Sequence, residues 1–356
     1  MKVCLISFNL IFPATRSLLQ LLKSIKQVEV HYINYVDYSS RSFPLDKPLG
    51  FLFSEFFMFF KILFYSKKFK NCIFVIFDAY LPLTLIAIRL LRRKSILVIG
   101  SSLLKEKIVK GHRIFAWLGH FTQIFAYYLS DNLVIFGEYM TDWVYANKFS
   151  SKIRIAPQPI IYALINNFYL EKPYRNRKAI IGYVGALTEH KGFHLLIESI
   201  KYIKTGMKDN YPKFLIIGSG SLEEELRKRK DLYDNVNYIG FIPHNKLRRY
   251  YNEMKLLVLP SYTEGMPAVI FEAMACGTPV LATPVGAIPN IIKDCETGFL
   301  LKSNDPSYIA ERIVELLSKH DLLEKVSINA YKYIRTNFSD EKILEAWRKI
   351  LIKIEL

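Results

Sequence analysis

The sequence predicts an α/β protein that contains two doubly wound domains in tandem. The chain has 356 residues, which is too long for one ordinary core and suits two domains of about 150 to 200 residues. Its hydrophobic fraction of 51% is enough to fill two cores. Short apolar runs alternate with longer helical patterns along the whole chain, and this alternation is typical of parallel sheets covered by helices.

Ten strands are predicted, because ten short runs are almost continuous in Val, Ile, Leu and Phe, as in strands buried on both faces. In the first half they are residues 2–7, 28–33, 73–77, 96–99 and 132–136, and in the second half 179–184, 213–217, 236–239, 256–259 and 279–282. The opening run MKVCLISFNLIF is predicted to be a strand rather than a signal peptide, because no clean small-residue cleavage site follows it.

The domain boundary is predicted within residues 156–179, where Pro157, Pro159 and Pro173 interrupt a stretch without clean periodicity. The predicted domains are residues 1–165 and 166–335. Residues 336–356 are predicted to form an amphipathic helix that begins after an N-cap at Ser339 and packs back toward the first domain.

The net charge of +17 is concentrated in the first half, where residues 1–170 contain 21 Lys and Arg against 9 Asp and Glu. These cations lie among aromatic and aliphatic residues, as in GFLFSEFFMFFKILFYSKKFK (residues 50–70) and in residues 105–129. The mixture favours an anionic membrane surface over nucleic acid as the partner. The alternative is a set of core helices whose lysines solvate the outer face.

No apolar run reaches the ~18 residues needed to span a bilayer without a charged residue inside it. Cys4, Cys72, Cys276 and Cys295 have neither metal-site nor disulfide-framework spacing, which fits a reducing compartment. We therefore expect a cytoplasmic protein that is peripheral on the inner face of the cell membrane.

The segment with the clearest chemistry is SYTEGMPAVIFEAMACGTPVLATPVGAIPNII, in which Glu264 and Glu272 stand in an apolar run with no cation nearby in sequence. Pro267 as first helical residue and Gly277 just past the end predict a helix over residues 268–276. The N-terminus of that helix follows a predicted strand, and this end of a parallel sheet is where ligands bind. A carboxylate there can accept hydrogen bonds from two neighbouring hydroxyls, which sugars and riboses present.

This segment resembles the signature of the retaining glycosyltransferases of family 4, which carry two glutamates separated by seven residues in such a loop and helix. Two further segments resemble the same family, namely IGYVGALTEHKGFHLLIESI and FLIIGSGSLEEELR followed by VNYIGFIPHNKLRRYY. Together they cover most of residues 179–300 in the expected order. The resemblance implies the GT-B fold, in which two Rossmann-like doubly wound domains face a central cleft.

The resemblance also implies that the first domain binds the acceptor and the second binds a nucleotide-sugar donor, carrying UDP, GDP or dTDP. Glu264 would contact hydroxyls of the transferred sugar, Glu272 the ribose, and Lys191 the pyrophosphate; Glu264 and Lys191 are the catalytic candidates. Further donor-binding candidates, whose backbone would approach the donor closely, are Gly185, Gly218, Gly220, Gly265, Met266, Pro267 and Ala268. Because polyol hydroxyls would be their partners, the two acids are expected to need no cation.

The chain departs from the family pattern in both domains. Ala186 stands where the family has an arginine that shares the pyrophosphate, and the loss of such a partner costs on the order of 1.5 to 3 kcal/mol unless another group replaces it. His190 is the nearest replacement by position, although a solvated loop histidine is the simpler interpretation.

In the first domain the family's Gly-Gly pair and its histidine near the acceptor are both missing. The polar residues in comparable places are Asn9, Arg16, Asp78 and Ser101, which are the acceptor-side candidates.

The implied reaction transfers a sugar to a glycan or lipid-linked acceptor with retention of configuration. In this family the leaving phosphate is thought to receive the acceptor's proton on one face of the sugar, so a protein base is not required. Lys191 and the helix N-terminus would then stabilise charge on the diphosphate, and Glu264 would orient the sugar. No cofactor or metal is expected, since the first domain has no DxD motif and His190 and His194 lack a supporting acid.

Two alternatives keep the fold and change the activity. The missing arginine, glycine pair and histidine are compatible with a non-catalytic subunit of a glycan-assembly complex. A nucleotide-sugar 2-epimerase shares the two-domain architecture but lacks this glutamate spacing. An NAD dehydrogenase is disfavoured, because no G-x-G-x-x-G follows the first strand of either half.

Overall fold

The computed structural model describes residues 1–7, 13–34, 48–67, 69–77, 81–100, 113–162, 164–207, 211–229 and 234–355. These residues form two compact units. The first unit contains residues 1–162 together with 340–356, and the second contains residues 163–339. Strands and helices are numbered below in chain order over the described residues.

The first unit is built on a six-stranded sheet in which every neighbouring pair is parallel, in the order β2-β1-β3-β4-β5-β6. Its strands are β1 Lys2–Ser7, β2 Glu29–Asn34, β3 Cys72–Phe77, β4 Ser95–Val98, β5 Asn132–Ile135 and β6 Ile153–Ile155. Every residue of β3 is buried, as expected for a central strand that helices cover on both faces.

The helices of the first unit are α1 Pro13–Ser24, α2 Pro48–Phe64, α3 Pro82–Leu90, α4 Arg113–Leu129, α5 Met140–Trp143 and the late helix Asp340–Glu355. The late helix contacts α1, and the buried indole of Trp347 donates a hydrogen bond to the carbonyl oxygen of Pro157. On the other face α3 contacts both α2 and α4, as right-handed crossovers require for this strand order. Among the described residues, no helix combines the length and the apolar character needed to cross a membrane.

The second unit has its own six-stranded parallel sheet, in the order β12-β11-β10-β7-β8-β9. Its strands are β7 Ile180–Val184, β8 Lys213–Ile217, β9 Val236–Gly240, β10 Leu256–Leu259, β11 Val280–Ala282 and β12 Phe299–Leu300. Its helices are α6 Leu164–Asn167, α7 Phe193–Gly206, α8 Glu223–Lys228, α9 Leu247–Tyr251, α10 Ala268–Ala275, α11 Ile288–Ile291, α12 Pro306–Ser318 and α13 His320–Asn337. The late helix of the first unit is therefore α14.

Short 3-10 turns complete the two units. They are Asn147–Lys152, Pro159–Ile161, Tyr174–Asn176, Glu189–Lys191 and His244–Lys246. The last two lie in the loops that carry the candidate site.

The ten predicted strands are all present, each within one residue of the predicted bounds. The strands β6 and β12 were not predicted; they have three and two residues and lie at sheet edges, too short to leave a pattern. The prediction for Pro267 was wrong in detail, because this residue has extended ψ and is the N-cap of α10 rather than its first helical residue. Likewise Cys276 is the C-cap of α10 rather than its last helical residue.

Candidate active site

The candidate site of the second unit lies where its strand order reverses. Strands β7 and β10 are neighbours, but the chain proceeds from β7 to one side of the sheet and from β10 to the other. In an open parallel sheet, ligands bind beyond the carboxyl ends of such a strand pair. Lys191 belongs to the loop after β7, and Glu264 to the loop after β10.

The Glu264 carboxylate is buried and both of its oxygens have protein partners. The ammonium of Lys191 lies 2.7 Å from Oε2, and the hydroxyl of Ser261 donates to Oε1 over 2.7 Å. The Glu264 side chain is 4% exposed, and that of Lys191 is 27% exposed. A charged pair held in this way lies at the edge of the core, with the cation on the more accessible side.

The two loops that carry this pair are tied to each other by backbone contacts. The Tyr262 amide donates to the carbonyl oxygen of His190 over 3.0 Å. Gly192 has a φ of +64°, and a Cβ atom there would lie 1.9 Å from the carbonyl oxygen of Pro260. Glycine is thus required where the turn after Lys191 crosses the end of β10.

Glu272 lies on α10, and its carboxylate also has two protein partners. The hydroxyl of the fully buried Tyr251 donates to Oε2 over 2.7 Å, and Nε2 of His244 lies 2.8 Å from Oε1. Because a carboxylate only accepts hydrogen bonds, this imidazole nitrogen is the donor. The ring of Phe168 packs against both partners, with its centroid 5.1 Å from that of His244 and 5.8 Å from that of Tyr251.

These contacts shift the protonation equilibria around Glu272. The hydrogen bond to Glu272 raises the pKa of His244 above its usual value, against the opposing effect of burial. Burial, reinforced by the Glu272 charge, raises the pKa of Tyr251 well above its usual value. Tyr251 therefore stays a neutral donor, whereas His244 is more readily protonated than a free imidazole.

The expectation that Glu264 and Glu272 need no cationic partner from the protein was wrong. Glu264 pairs with Lys191, and Glu272 pairs with a histidine whose protonation its own charge favours. The partners lie 73 and 28 residues away along the chain, so inspection of the nearby sequence could not find them. The physical reason is that a buried carboxylate without a partner costs several kcal/mol.

The loop between the two acids contains the residues whose backbone is predicted to contact a donor. Gly265 is exposed and a Cβ atom there would meet no atom within 4 Å, whereas Pro267 is buried and Met266 and Ala268 are partly buried. Among the described residues, the N-cap of α10, Pro267, makes no side-chain capping hydrogen bond. Gly286 packs closely against this loop. The φ of Gly286 is +58°, and a Cβ atom there would lie 1.9 Å from the carbonyl oxygen of Glu264.

The predicted glycines of the first motifs lie at neighbouring turns. Gly185 and Gly218 follow β7 and β8, and Gly218 packs directly on the carbonyl oxygen of Gly185. Gly220 is exposed in the turn after β8, and Ala186 is exposed in the turn after β7. No hydrogen bond among the described residues joins Gly218 or Gly220 to the Lys191–Glu264 pair.

Two histidines were considered above, one as a replacement for the missing arginine and both as metal ligands. His190 is exposed, and His194 lies on α7 with its ring stacked 5.8 Å from the ring of Tyr262. Within the described parts of the chain, no three His, Cys, Asp or Glu side chains are grouped as a metal site.

The acceptor-side candidates belong to the first unit. Arg16 is exposed on α1. Asn9, Asp78 and Ser101 lie outside the described residues.

Sequence reasoning missed Ser261, Tyr251 and His244. Tyr251 and His244 lie in the VNYIGFIPHNKLRRYY segment, which carried the family resemblance but had no role assigned to it. Ser261 precedes Glu264 by three residues, a spacing that could have suggested a hydroxyl donor to that carboxylate.

Comparison with known protein families gives a match over the part of the chain that contains this site. Residues 170–333 match the family of glycosyl transferases group 1. Lys191, Glu264 and Glu272 all lie within the segment that is similar to this family.

The relatives of this chain include two bacterial glycosyltransferases whose names state what they act on or help to make. The capsular polysaccharide biosynthesis glycosyltransferase CapM of Staphylococcus aureus is 34% identical over 189 residues, which cover 52% of this chain and 49% of CapM. An alpha-1,4-N-acetyl-D-galactosaminyltransferase of Campylobacter jejuni, named for a PP-undecaprenol-linked glycan, is 24% identical over 65% of this chain and 62% of its own length. The chain spans about half the length of the curated relatives it matches.

Among solved structures, HepE of Anabaena in complex with UDP is similar over almost the whole chain. The TM-score is 0.75 at 16% identity, and the match covers 99% of this chain and 100% of HepE. A likeness at this identity concerns the fold, and it confirms the predicted GT-B fold class.

Proposed function

We propose that the protein is a retaining glycosyltransferase that moves a sugar from a nucleotide-sugar donor to a glycan or lipid-linked acceptor at the inner face of the cell membrane. The observation that carries the proposal is the Lys191–Glu264 pair at the strand-order reversal of the second unit. This pair supplies one anion and one cation next to the N-terminus of α10, where a phosphate or a polyol can bind.

Glu264 has the capacity to hold a sugar while it keeps its protein partners. A carboxylate has about four lone-pair positions, and Ser261 and Lys191 occupy one on each oxygen. Two neighbouring sugar hydroxyls can donate to the remaining positions. Because Ser261 and Lys191 fix the orientation of the Glu264 carboxylate, its free lone pairs are already directed at the sugar hydroxyls. Such preorganisation is what sugar transfer needs.

Lys191 has the matching capacity for the diphosphate. Its ammonium has three donors, one of which is directed at Glu264. The other donors and the N-terminus of α10 can meet phosphate oxygens. As the sugar–phosphate bond breaks, negative charge grows on the diphosphate near the cation and positive charge grows on the sugar near the anion, so both changes are stabilised. No metal and no protein base takes part in this proposal.

Glu272 provides a second diol-binding carboxylate, which we assign to the ribose. Its Oε2 is turned to the buried Tyr251, and its Oε1 to His244, whose side chain is 56% exposed. Oε1 is therefore the oxygen on the side of the more exposed partner, and a ribose diol would share it with the imidazole. UDP is the first nucleotide to test, because HepE, which shares the fold, was solved with UDP.

The acceptor proposal rests on the relatives and on the charge of the chain. The Campylobacter jejuni relative is named for an undecaprenol-linked glycan. The excess of Lys and Arg in residues 1–170 suits an anionic lipid surface. A cytoplasmic protein bound to the inner leaflet would meet both the nucleotide sugar and such an acceptor.

The test measures hydrolysis or transfer of UDP-, GDP- and dTDP-sugars by the wild type, Lys191→Ala and Glu264→Gln. Each variant is expected to lose about a hundredfold or more in rate, because each removes one charge that faces the transition state. Lys201→Ala, an exposed lysine on α7, is the matched control. Unchanged rates in both variants would remove the mechanism, and inversion at the anomeric carbon of the product would remove the retaining assignment.

One observation favours a second candidate, a non-catalytic subunit of a glycan-assembly complex. Ala186 is exposed in the turn after β7, where the resembling family has an arginine for the pyrophosphate. Calorimetry with UDP, GDP and dTDP separates the two candidates. An enzyme binds one of these nucleotides, whereas a degenerate site binds none.

A further inference from the structure

The outer surface of two helices in the first unit is apolar, contrary to the usual polar exterior of a doubly wound domain. On α2 the side chains of Phe56, Phe57, Phe60 and Phe64 are at least half exposed, and that of Phe64 is 82% exposed. The opposite side of α2 buries Met58 and Ile62 in the core. The helix is therefore apolar on both sides, as in helices that contact lipid or a partner.

Helix α4 repeats this pattern with the same spacing. Trp117, Leu118, Phe121 and Phe125 are between 48% and 66% exposed, and they stand at positions i, i+1, i+4 and i+8, as the four phenylalanines of α2 do. This spacing places each set on one side of its helix. The inward side of α4 buries Ala126 and Tyr127.

The two apolar stripes belong to the same helical layer. α2 and α4 both contact α3, which lies between them on one face of the sheet, and Leu90 at the end of α3 is 65% exposed. We call these two stripes and Leu90 the aromatic face. So many exposed large apolar side chains on three neighbouring helices exceed what scattered surface residues explain.

The charges around the aromatic face are cationic. The only acidic residue in the sequences of α2, α3 and α4 is Glu55, which is buried and accepts hydrogen bonds from the amides of Leu83 and Thr84. Lys61 lies with its ammonium 5.7 Å from the centre of the Phe57 ring, and Arg89 is exposed at the end of α3. Two copies of this face would bring cations against cations, whereas anionic headgroups would neutralise them.

We propose that the aromatic face is a monotopic docking surface, whose α2 and α4 side chains enter the headgroup region of an anionic lipid bilayer while Lys61 and Arg89 contact the headgroups. Aromatic rings favour this interfacial depth, and basic residues beside them add salt-sensitive attraction. The inference deepens the proposed function, since it names the surface by which the enzyme reaches a lipid-linked acceptor.

The test is co-sedimentation of the full chain with vesicles of phosphatidylcholine alone and of phosphatidylcholine mixed with phosphatidylglycerol. The wild type is expected to bind the anionic vesicles and to be released by salt. Phe60→Ser with Phe64→Ser, and Phe121→Ser with Phe125→Ser, are each expected to weaken binding about tenfold or more, because two phenyl groups no longer leave water. The matched control is Phe241→Ser, which removes a 77% exposed phenylalanine from the second unit.

A second readout follows insertion directly. Trp117 is 58% exposed, so its fluorescence is expected to shift to shorter wavelength on vesicle binding and to be quenched by brominated lipid. Trp117→Phe should remove this signal and keep vesicle binding. Binding that the serine pairs leave unchanged, or a tryptophan signal that brominated lipid does not quench, would overturn the proposal.

Two further measurements separate the possible failures. If the serine pairs abolish self-association in sedimentation velocity and leave vesicle binding intact, the face joins copies of this chain and the lipid proposal is wrong. UDP binding and donor hydrolysis in the absence of lipid should be equal in the wild type and the serine pairs. A protein that binds vesicles through this face but binds no nucleotide would refute the proposed function and leave this inference standing.

Discussion

The ammonium of Lys191 lies 2.7 Å from the buried carboxylate of Glu264, although 73 residues separate them in the chain. The turn after β7 and the loop after β10 bring them together, because parallel neighbours end at the same edge of the sheet. In the proposed function, this one contact joins the residue that would bind the diphosphate to the residue that would bind the sugar.

This contact predicts energetic coupling between the two residues. In a double-mutant cycle with Lys191→Ala and Glu264→Gln, the free energy of unfolding should show a coupling of about 1 to 2 kcal/mol, because either single change leaves a partly buried polar partner alone. Urea unfolding of the four proteins measures it. Strictly additive effects would mean that the pair contributes nothing as a pair.

The hydroxyl of Tyr251 is expected to be the part of this side chain that stabilises the Glu272 carboxylate. Tyr251→Phe should cost about 1 to 3 kcal/mol of unfolding free energy, because the buried Oε2 of Glu272 loses its donor. UDP affinity should fall as well, measured by calorimetry. The neighbouring Tyr250→Phe removes a hydroxyl without a bond to Glu272 and serves as control; equal effects of the two changes would refute this role.

His244 gives the protein a stability term that depends on pH. Glu272 raises the pKa of His244 in the folded state. The stabilisation that protonated His244 contributes is therefore fully present below the pKa of the unfolded chain, which is about 6.5. That contribution is lost as the pH rises through the raised folded pKa. The difference in unfolding free energy between the wild type and His244→Gln should therefore shrink as the pH rises above about 6.5, and a constant difference would contradict it. His190→Gln is the control in an exposed loop.

Glu55 has the opposite dependence. Burial raises its pKa to about 7, so the folded state holds the proton more tightly than the unfolded chain does. Stability should fall as the pH rises from about 4.5 to about 7, on the order of 2 kcal/mol in total. Glu55→Gln should flatten this fall in urea unfolding curves and keep an oxygen to accept the hydrogen bonds at the start of α3. An equally steep fall in that variant would assign the pH dependence to other groups.

Arg177 is predicted to be the largest structural contributor of the second unit. Its buried guanidinium donates to the Thr278 hydroxyl and to the carbonyl oxygens of Lys172, Tyr251, Met254 and Cys276. Burial lowers its pKa to about 10. Arg177→Met should cost about 3 to 5 kcal/mol, because several buried acceptors lose their donor. Arg177→Lys keeps the charge but restores only part of the hydrogen bonds of the guanidinium. Its free energy of unfolding, measured with urea, should lie between those of Arg177→Met and the wild type. A Met variant as stable as the wild type would contradict the assignment.

The sequence identified the parts of the fold that depend on continuous apolar runs. Strands such as β3 and β10 are buried along their whole length, so their composition alone marks them. The edge strand β6 is only partly buried and short, and it leaves no such mark. Glu264, Glu272 and Lys191 could be found because their spacing and neighbours resemble a known family.

The partners of those residues could not be found in the same way. The bonds from Tyr251 and His244 to Glu272 depend on how α9 and the turn before it pack against α10. That packing is a tertiary property, which local pattern does not encode. The ion pair of Glu264 likewise depends on the alignment of two strands rather than on the loop that contains it.

Helix α14 belongs to the first unit although residues 163–339 of the second unit precede it in the chain. On the ribosome, the second unit therefore emerges in full before the first can bury Trp347 and close its own core. Residues 1–162 can therefore complete their core only after residues 340–356 are made, whereas residues 163–339 by then have every partner within their own unit.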